Sequence, residues 1–319
     1  MKKKIIPIIS AILCATTLTA CTDTDKKVSF SAYWYKNSNL PVLTTETLVY
    51  DVSFEEAAGT QSAGYDSIDY DGTYTTTLKR VQGENEIVYH YDTTLDVKVT
   101  FVVDGATKEE TDKIVSHVEF TGETDGFSPI KSTKTIENHS PINGATTERY
   151  CEYAAYTVTT VYDNDGKGGK CTIVNNDNEA SQTKSFEIET DEYTYLDNEQ
   201  LVFALRGVNP SVSSSPVFLV YDAFKNSVYN IKATYGSVVT GKDFQFNKNG
   251  AAFNDSVDYY AVSLAIDSDM PGTSQTVWVA KTTDAQKNSH RNAILRIETP
   301  LYYSMGTMIY QLTDATFAE

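Results

Sequence analysis

The sequence predicts an all-β protein, mainly antiparallel, whose strands form a curved sheet, an incomplete barrel or a sandwich. Three observations predict it. Apolar and polar residues alternate with period two in segment after segment, as in strands with one buried face. Clusters of Gly, Asn and Asp follow most of these segments and mark turns. The chain carries 22 tyrosines and is 12% aromatic, and Tyr alternating with Thr and Val suits half-exposed strands.

The clearest strand is Leu95, Val97, Val99, Phe101 and Val103, interleaved with Asp96, Lys98 and Thr100. Asp104-Gly105 then turns the chain, and Ile114 to Phe120 returns. Further strands are expected at 46–54, 73–81, 86–91, 131–137, 149–162, 170–175, 183–190, 216–222, 227–235, 257–267, 275–281, 292–298 and 306–312. Short strands at this spacing suggest a sandwich or barrel. Segments 150–162 and 170–178 flank a strong turn signal, Asp163 to Gly169. A regular hairpin puts Cys171 opposite a residue near Tyr162 and leaves Cys151 about eleven rungs away, roughly 36 Å at ~3.3 Å per residue. A disulfide needs Cα atoms within about 7 Å, so this reading favours the hairpin and two free thiols.

One segment breaks the pattern. Asp197-Asn198-Glu199-Gln200 is a capping box, with Leu196 and Leu201 placed for a hydrophobic staple. Leu201, Val202 and Leu205 make an apolar face, and Gly207 can supply a left-handed stop. A short helix near 197–207, lying across a sheet, is expected.

The first residues, Met1-Lys2-Lys3-Lys4, precede an uncharged run from Ile5 to Leu18. A basic stub and a short apolar run form a secretory signal, and 14 residues fall short of the roughly 20 that span a bilayer. The run ends in Leu18-Thr19-Ala20-Cys21, which resembles the lipobox of bacterial lipoproteins. The resemblance implies a diacylglycerol thioether on Cys21 and cleavage before it. It gives a signal-peptide helix at 1–20, a lipidated tether at 21–40 and a β-rich domain at 41–319, divisible into halves 41–190 and 191–319. The implied location is the cell envelope, outside the cytoplasm, with lipid on Cys21 holding the protein to a membrane.

Removing Lys2, Lys3 and Lys4 from 26 basic residues leaves 23 against 43 acidic ones, a net charge of −20. Such a surface repels nucleic acid and anionic membrane. The acidic residues are scattered, as expected of solvated faces.

Four stretches resemble a family of envelope proteins of unknown function related in fold to the LolA/LolB lipoprotein carriers. They are Glu46 to Phe54; Leu201 to Gly207; Val277 to Lys281 together with Ile294 to Ile297; and Gly306 to Leu312. The match is best over the final ~120 residues, and the segment 60–190 departs from it. The resemblance implies a curved sheet with a concave apolar surface able to hold a lipid or acyl chain. It brings no catalytic residues.

Chemistry is sparse. His90, His117, His139 and His290 have no partner at i+2 or i+4 and read as surface residues, with no metal site expected. No nucleophile elbow or phosphate-cradling loop is present. Asp163-Asn164-Asp165-Gly166 fails as a calcium loop, because positions one and twelve would be Val161 and Thr172. Glu55-Glu56 reads as a solvated loop. No cofactor is expected. Trp278, Tyr259, Tyr260, Tyr302 and Tyr303, with Leu201 and Leu205 of the helix, are the candidate ligand wall.

These observations favour a non-enzymatic, membrane-anchored lipoprotein that binds a lipid or other hydrophobic small molecule in a curved sheet. The alternative is a cell-surface adhesive or structural module recognising glycan or an envelope protein through aromatics. A third class, a hydrolase, needs facing carboxylates or a metal cluster that the sequence does not display.

Overall fold

A computed structural model of the chain describes residues 27–36, 41–83, 86–163, 166–188, 192–266, 274–281 and 290–319. The expected signal-peptide helix and Cys21 lie outside these residues. The alternating segments become strands: β1 (Thr45–Glu56), β2 (Ser67–Gln82), β3 (Ile87–Val103), β4 (Ala106–Thr121), β5 (Pro129–Pro141), β6 (Cys151–Tyr162), β7 (Gly168–Asn175) and β8 (Ser181–Glu187). After a three-residue strand, β9 (Thr194–Leu196), come β10 (Val217–Asp222), β11 (Ser227–Lys248), β12 (Ala251–Ile266), β13 (Gln275–Ala280), β14 (Ile294–Pro300) and β15 (Gly306–Ala318). The expected strands 86–91 and 95–103 are one strand, β3, because Asp92-Thr93-Thr94 keeps the alternation.

All fifteen strands belong to one sheet, ordered β8-β7-β6-β5-β4-β3-β2-β1-β15-β14-β13-β12-β11-β10-β9. An additional parallel pairing of β11 with β15, Asn247 to Asp314 and Lys248 to Ala315, closes β11–β15 into a five-stranded barrel. The closure has a local cause. β11 is 22 residues long and its register against β12 slips twice, after Tyr235 and after Val239. Such bulges bend a strand and increase its twist. Gly241, at φ 71°, takes the left-handed conformation at the second slip.

Strands β1–β8 form an up-and-down wing. It leaves the barrel through the β1–β15 pairing and curls until β8 reaches the flank of β10, where Phe186 stacks on Tyr221 at 3.9 Å. The wing strands span Thr45–Glu187 and the barrel strands span Ser227–Ala318. They share a core in which Tyr50, Tyr89 and Phe120 of the wing meet Phe203, Val262 and Leu312.

Part of the expected tether at 21–40 is instead part of the fold. Val28, Phe30, Trp34 and Tyr35 are buried, and Trp34 is fully enclosed. Phe30 bridges to Val208, and Ser31 N–H donates to the Gly207 carbonyl at 2.7 Å. Four aromatic rings surround Trp34, Phe203 edge-on at 5.1 Å and Tyr35, Tyr89 and Phe127 beyond it. Burying large apolar side chains, at about 1.5–3 kcal/mol each, outweighs the order imposed on this short segment.

The expected helix is present in a tighter form. A 3₁₀ turn (Asn198–Gln200), the α-helical turn Leu201–Ala204 and a second 3₁₀ turn (Leu205–Gly207) follow one another. The capping box forms: Asp197 accepts from the Glu199 backbone N–H at 2.9 Å, and Gln200 accepts from the Asp197 N–H at 3.3 Å. Leu196 and Leu201 are both fully buried. The segment plugs the space between wing and barrel, with Leu201, Phe203, Ala204, Leu205 and Arg206 all buried. Gly207 corrects the expectation of a left-handed stop, since it is not among the positive-φ residues. A Cβ there would lie 2.9 Å from the rings of Phe127 and Phe30. Close packing, not backbone conformation, requires the glycine.

The hairpin forms in the anticipated way. Cys171 pairs with Thr160, Tyr162 pairs with Gly169, and Cys151 sits opposite Pro141 on β5. Both cysteines are free thiols.

Candidate functional site

Curling the wing against the barrel leaves a cavity of about 260 Å³. Its wing side is built by inward-facing residues of β2–β4: Tyr70, Tyr74, Leu95, Val97 and Ile114. Ile297, Met308 and Tyr310 of the barrel form the opposite wall, and Leu201 and Val202 close one end. The alternation in β3 that predicted a strand therefore also supplies the apolar wall.

Polar groups are few and held in place. Lys134 pairs with Glu199 at 2.6 Å, and both are mostly buried. Asp112, 1% exposed, accepts from Asn138 Nδ2, from the His139 backbone N–H and from His139 Nδ1 at 2.5–3.0 Å. Burial pushes the Asp112 carboxyl up, and those hydrogen bonds offset part of the effect. Gln275 donates to Thr299 Oγ1 at 2.8 Å, while its buried Oε1 has no hydrogen-bond partner. An unpaired buried acceptor costs on the order of 1–3 kcal/mol. Desolvation pushes the phenols of buried Tyr70 and partly buried Tyr74 well up.

The candidate wall is distributed over several places. Leu201 and Tyr302 line this cavity, with Tyr302 half exposed at its mouth. Tyr303 follows on the same turn and is exposed. Tyr259 stacks on Trp278 at 4.8 Å, against Phe244, and the Arg296 guanidinium lies 5.2 Å from the Trp278 ring. Tyr260, the next residue of β12, points the other way towards Tyr235 and lines a second concavity of about 250 Å³ with Leu205. Consecutive strand residues face opposite sides, so Tyr259 and Tyr260 are not on one wall.

The wall residues Leu95, Val97 and Ile114 were legible only as strand residues. A second group that sequence reasoning missed lies beside them. His139 joins Asp112 to Glu110, whose Oε1 accepts from Tyr150 O–H at 2.5 Å. Cys151 is close by, but burial and the charges of Glu110 and Asp112 push its thiol up to about 11. A thiol held protonated is a poor nucleophile, so this group reads as a structural network.

His290 corrects the expectation of a surface histidine. It is 9% exposed and packs edge-on against Phe253 at 4.8 Å and near Phe246. Burial, reinforced by Lys248 and opposed by Asp255, lowers its pKa to about 4. The unfolded chain takes up this proton near 6.5, and the fold only near 4. The contribution to stability is complete above 6.5 and is lost as the pH falls towards 4. His290→Phe should flatten the loss of stability across that window by an amount of order 1–3 kcal/mol, read by denaturant unfolding at a series of pH values.

Comparison of the chain with protein-family models, curated proteins and solved structures finds no match. Three of the four stretches compared above, all but Leu201 to Gly207, form strands. Their strands, β1, β15, β14 and β13, are consecutive neighbours in the sheet. No described helix is long and apolar enough to cross a membrane.

Proposed function

We propose that this protein is a lipid-anchored envelope protein, attached through Cys21, that binds a lipid or other hydrophobic small molecule without catalysing a reaction. The observation that carries the binding half is the cavity between wing and barrel. It is mostly apolar, has a few fixed polar groups and is near the size of small-ligand sites. The Lys134–Glu199 pair at the cavity suits a ligand with an apolar body and a polar end. The anchor half is supported by Leu18-Thr19-Ala20-Cys21 behind a basic, apolar leader.

Native mass spectrometry of the purified protein, followed by organic extraction, tests the binding half. A co-purified acyl species released on unfolding supports it. A clean mass, unchanged after incubation with lipids, sinks it and turns the search to glycan or protein partners. The anchor is tested separately by feeding expressing cells an alkyne fatty acid. The wild type should take up the label and Cys21→Ala should not, and equal labelling of the two would overturn the anchor.

A further inference from the structure

We propose that His90, His117 and Glu119 form a binding site for a divalent transition-metal ion such as Zn²⁺ on the outer face of the wing. The site is independent of the cavity. Its residues sit on the wet face of β3 and β4, whereas Leu95 and Ile114 of the same strands face inward. Register creates it: His90 stands opposite Glu119, and Asp92 stands opposite His117. The two imidazoles are therefore diagonal neighbours, with ring centroids 5.6 Å apart. One ligand atom from each of His90, His117 and Glu119 lies within 4.8 Å of the other two.

The orientation of His117 strengthens the assignment. Its Nδ1 is 2.7 Å from Asp92 Oδ1, and its Nε2 is 3.3 Å from Glu119 Oε1. A histidine that ligates a metal ordinarily donates its other ring N–H to a carboxylate, which fixes tautomer and ring plane. Asp92 is placed to do this, which presents Nε2 beside Glu119.

Two imidazoles and one carboxylate suit zinc and its neighbours more than magnesium or calcium. Bond lengths of about 2.0–2.2 Å require the ligand atoms to close in from their present spacing. The three side chains are only partly buried and can turn to do so. Three protein ligands leave a fourth position for water or for a donor from a partner. Lys79 and Lys131 are next in register on the flanking strands. Both are exposed, so water screens them, and the net charge of the chain favours a cation.

The test is calorimetric titration of the purified full-length chain with ZnCl₂ near neutral pH, with MgCl₂ as the hard-cation control, and thermal unfolding with and without zinc. We expect about one Zn²⁺ bound per chain and a rise in the unfolding temperature that magnesium does not produce. His90→Ala and His117→Ala should each weaken zinc binding at least about tenfold, a loss of roughly 1.4 kcal/mol, and Asp92→Asn should weaken it less. Glu119→Gln guards against misfolding, because it keeps the side-chain shape and removes one ligand. Zinc binding and stabilisation equal in the wild type and the His90→Ala/His117→Ala double variant would overturn the proposal, as would absence of binding to a wild type that unfolds cooperatively.

Discussion

Arg206→Ala lowers the free energy of unfolding by about 3–5 kcal/mol, the cost of breaking a buried ion pair by removing one partner. Arg206 and Glu46 are each 2% exposed. The guanidinium grips the carboxylate in a two-pronged contact, with Nη2 2.7 Å from Oε2 and Nη1 against Oε1. The same guanidinium donates to the Arg291 carbonyl at 2.8 Å and to the Asn292 carbonyl at 3.1 Å. Asn292 returns a hydrogen bond from Nδ2 to the Arg206 carbonyl at 2.7 Å. One side chain thus ties β1, the plug segment and the turn before β14, with Trp34 and Phe203 against its faces. Removing it leaves Glu46 without its ion-pair partner in the core and takes one donor from each of two carbonyls. Guanidinium unfolding measures the loss. The double variant Glu46→Leu/Arg206→Met should lose less than Arg206→Ala, because it strands no charge. An Arg206→Ala protein within about 1 kcal/mol of the wild type would show that water reaches the pair.

Leu95→Trp should abolish ligand binding while leaving the fold intact. Leu95 faces the cavity and is only partly buried, so a larger ring can grow into open space without displacing packed atoms. The added ring occupies volume that an acyl chain would need. We expect affinity for a fluorescent fatty-acid probe to fall at least about tenfold, or roughly 1.4 kcal/mol, with little change in unfolding temperature. Val161→Trp, at an exposed position on the outer face of β6, is the control that should bind as the wild type does. Equal probe binding by both variants would remove the cavity from the proposed function, without touching the anchor or the metal site.

Much of the fold was legible because strand formation leaves a local record. The alternation Leu95, Val97, Val99, Phe101, Val103 names both the strand and its buried face, and the Asp197 capping box was readable because its hydrogen bonds span three residues. The capture of Trp34 by Phe203, Tyr89 and Phe127 was not readable, since segments far apart in the chain supply its surroundings. For the same reason His290 looked like a surface residue, and the burial of the Arg206–Glu46 pair, 160 residues apart, left no local signal.

By itself, the sequence determined that the protein is all-β and antiparallel, where its hairpins turn, that a capped turn interrupts the strands at 197, and that Cys151 and Cys171 are too far apart to bond. Each of these follows from backbone geometry acting over a few residues. Only the tertiary structure decided that β11 bends to meet β15, that the wing curls to enclose a cavity, that the candidate aromatic wall divides, and that His90 and His117 share an outer face. Those outcomes depend on twist, bulges and register accumulated over fifteen strands, where one slip of register moves a side chain to the opposite face.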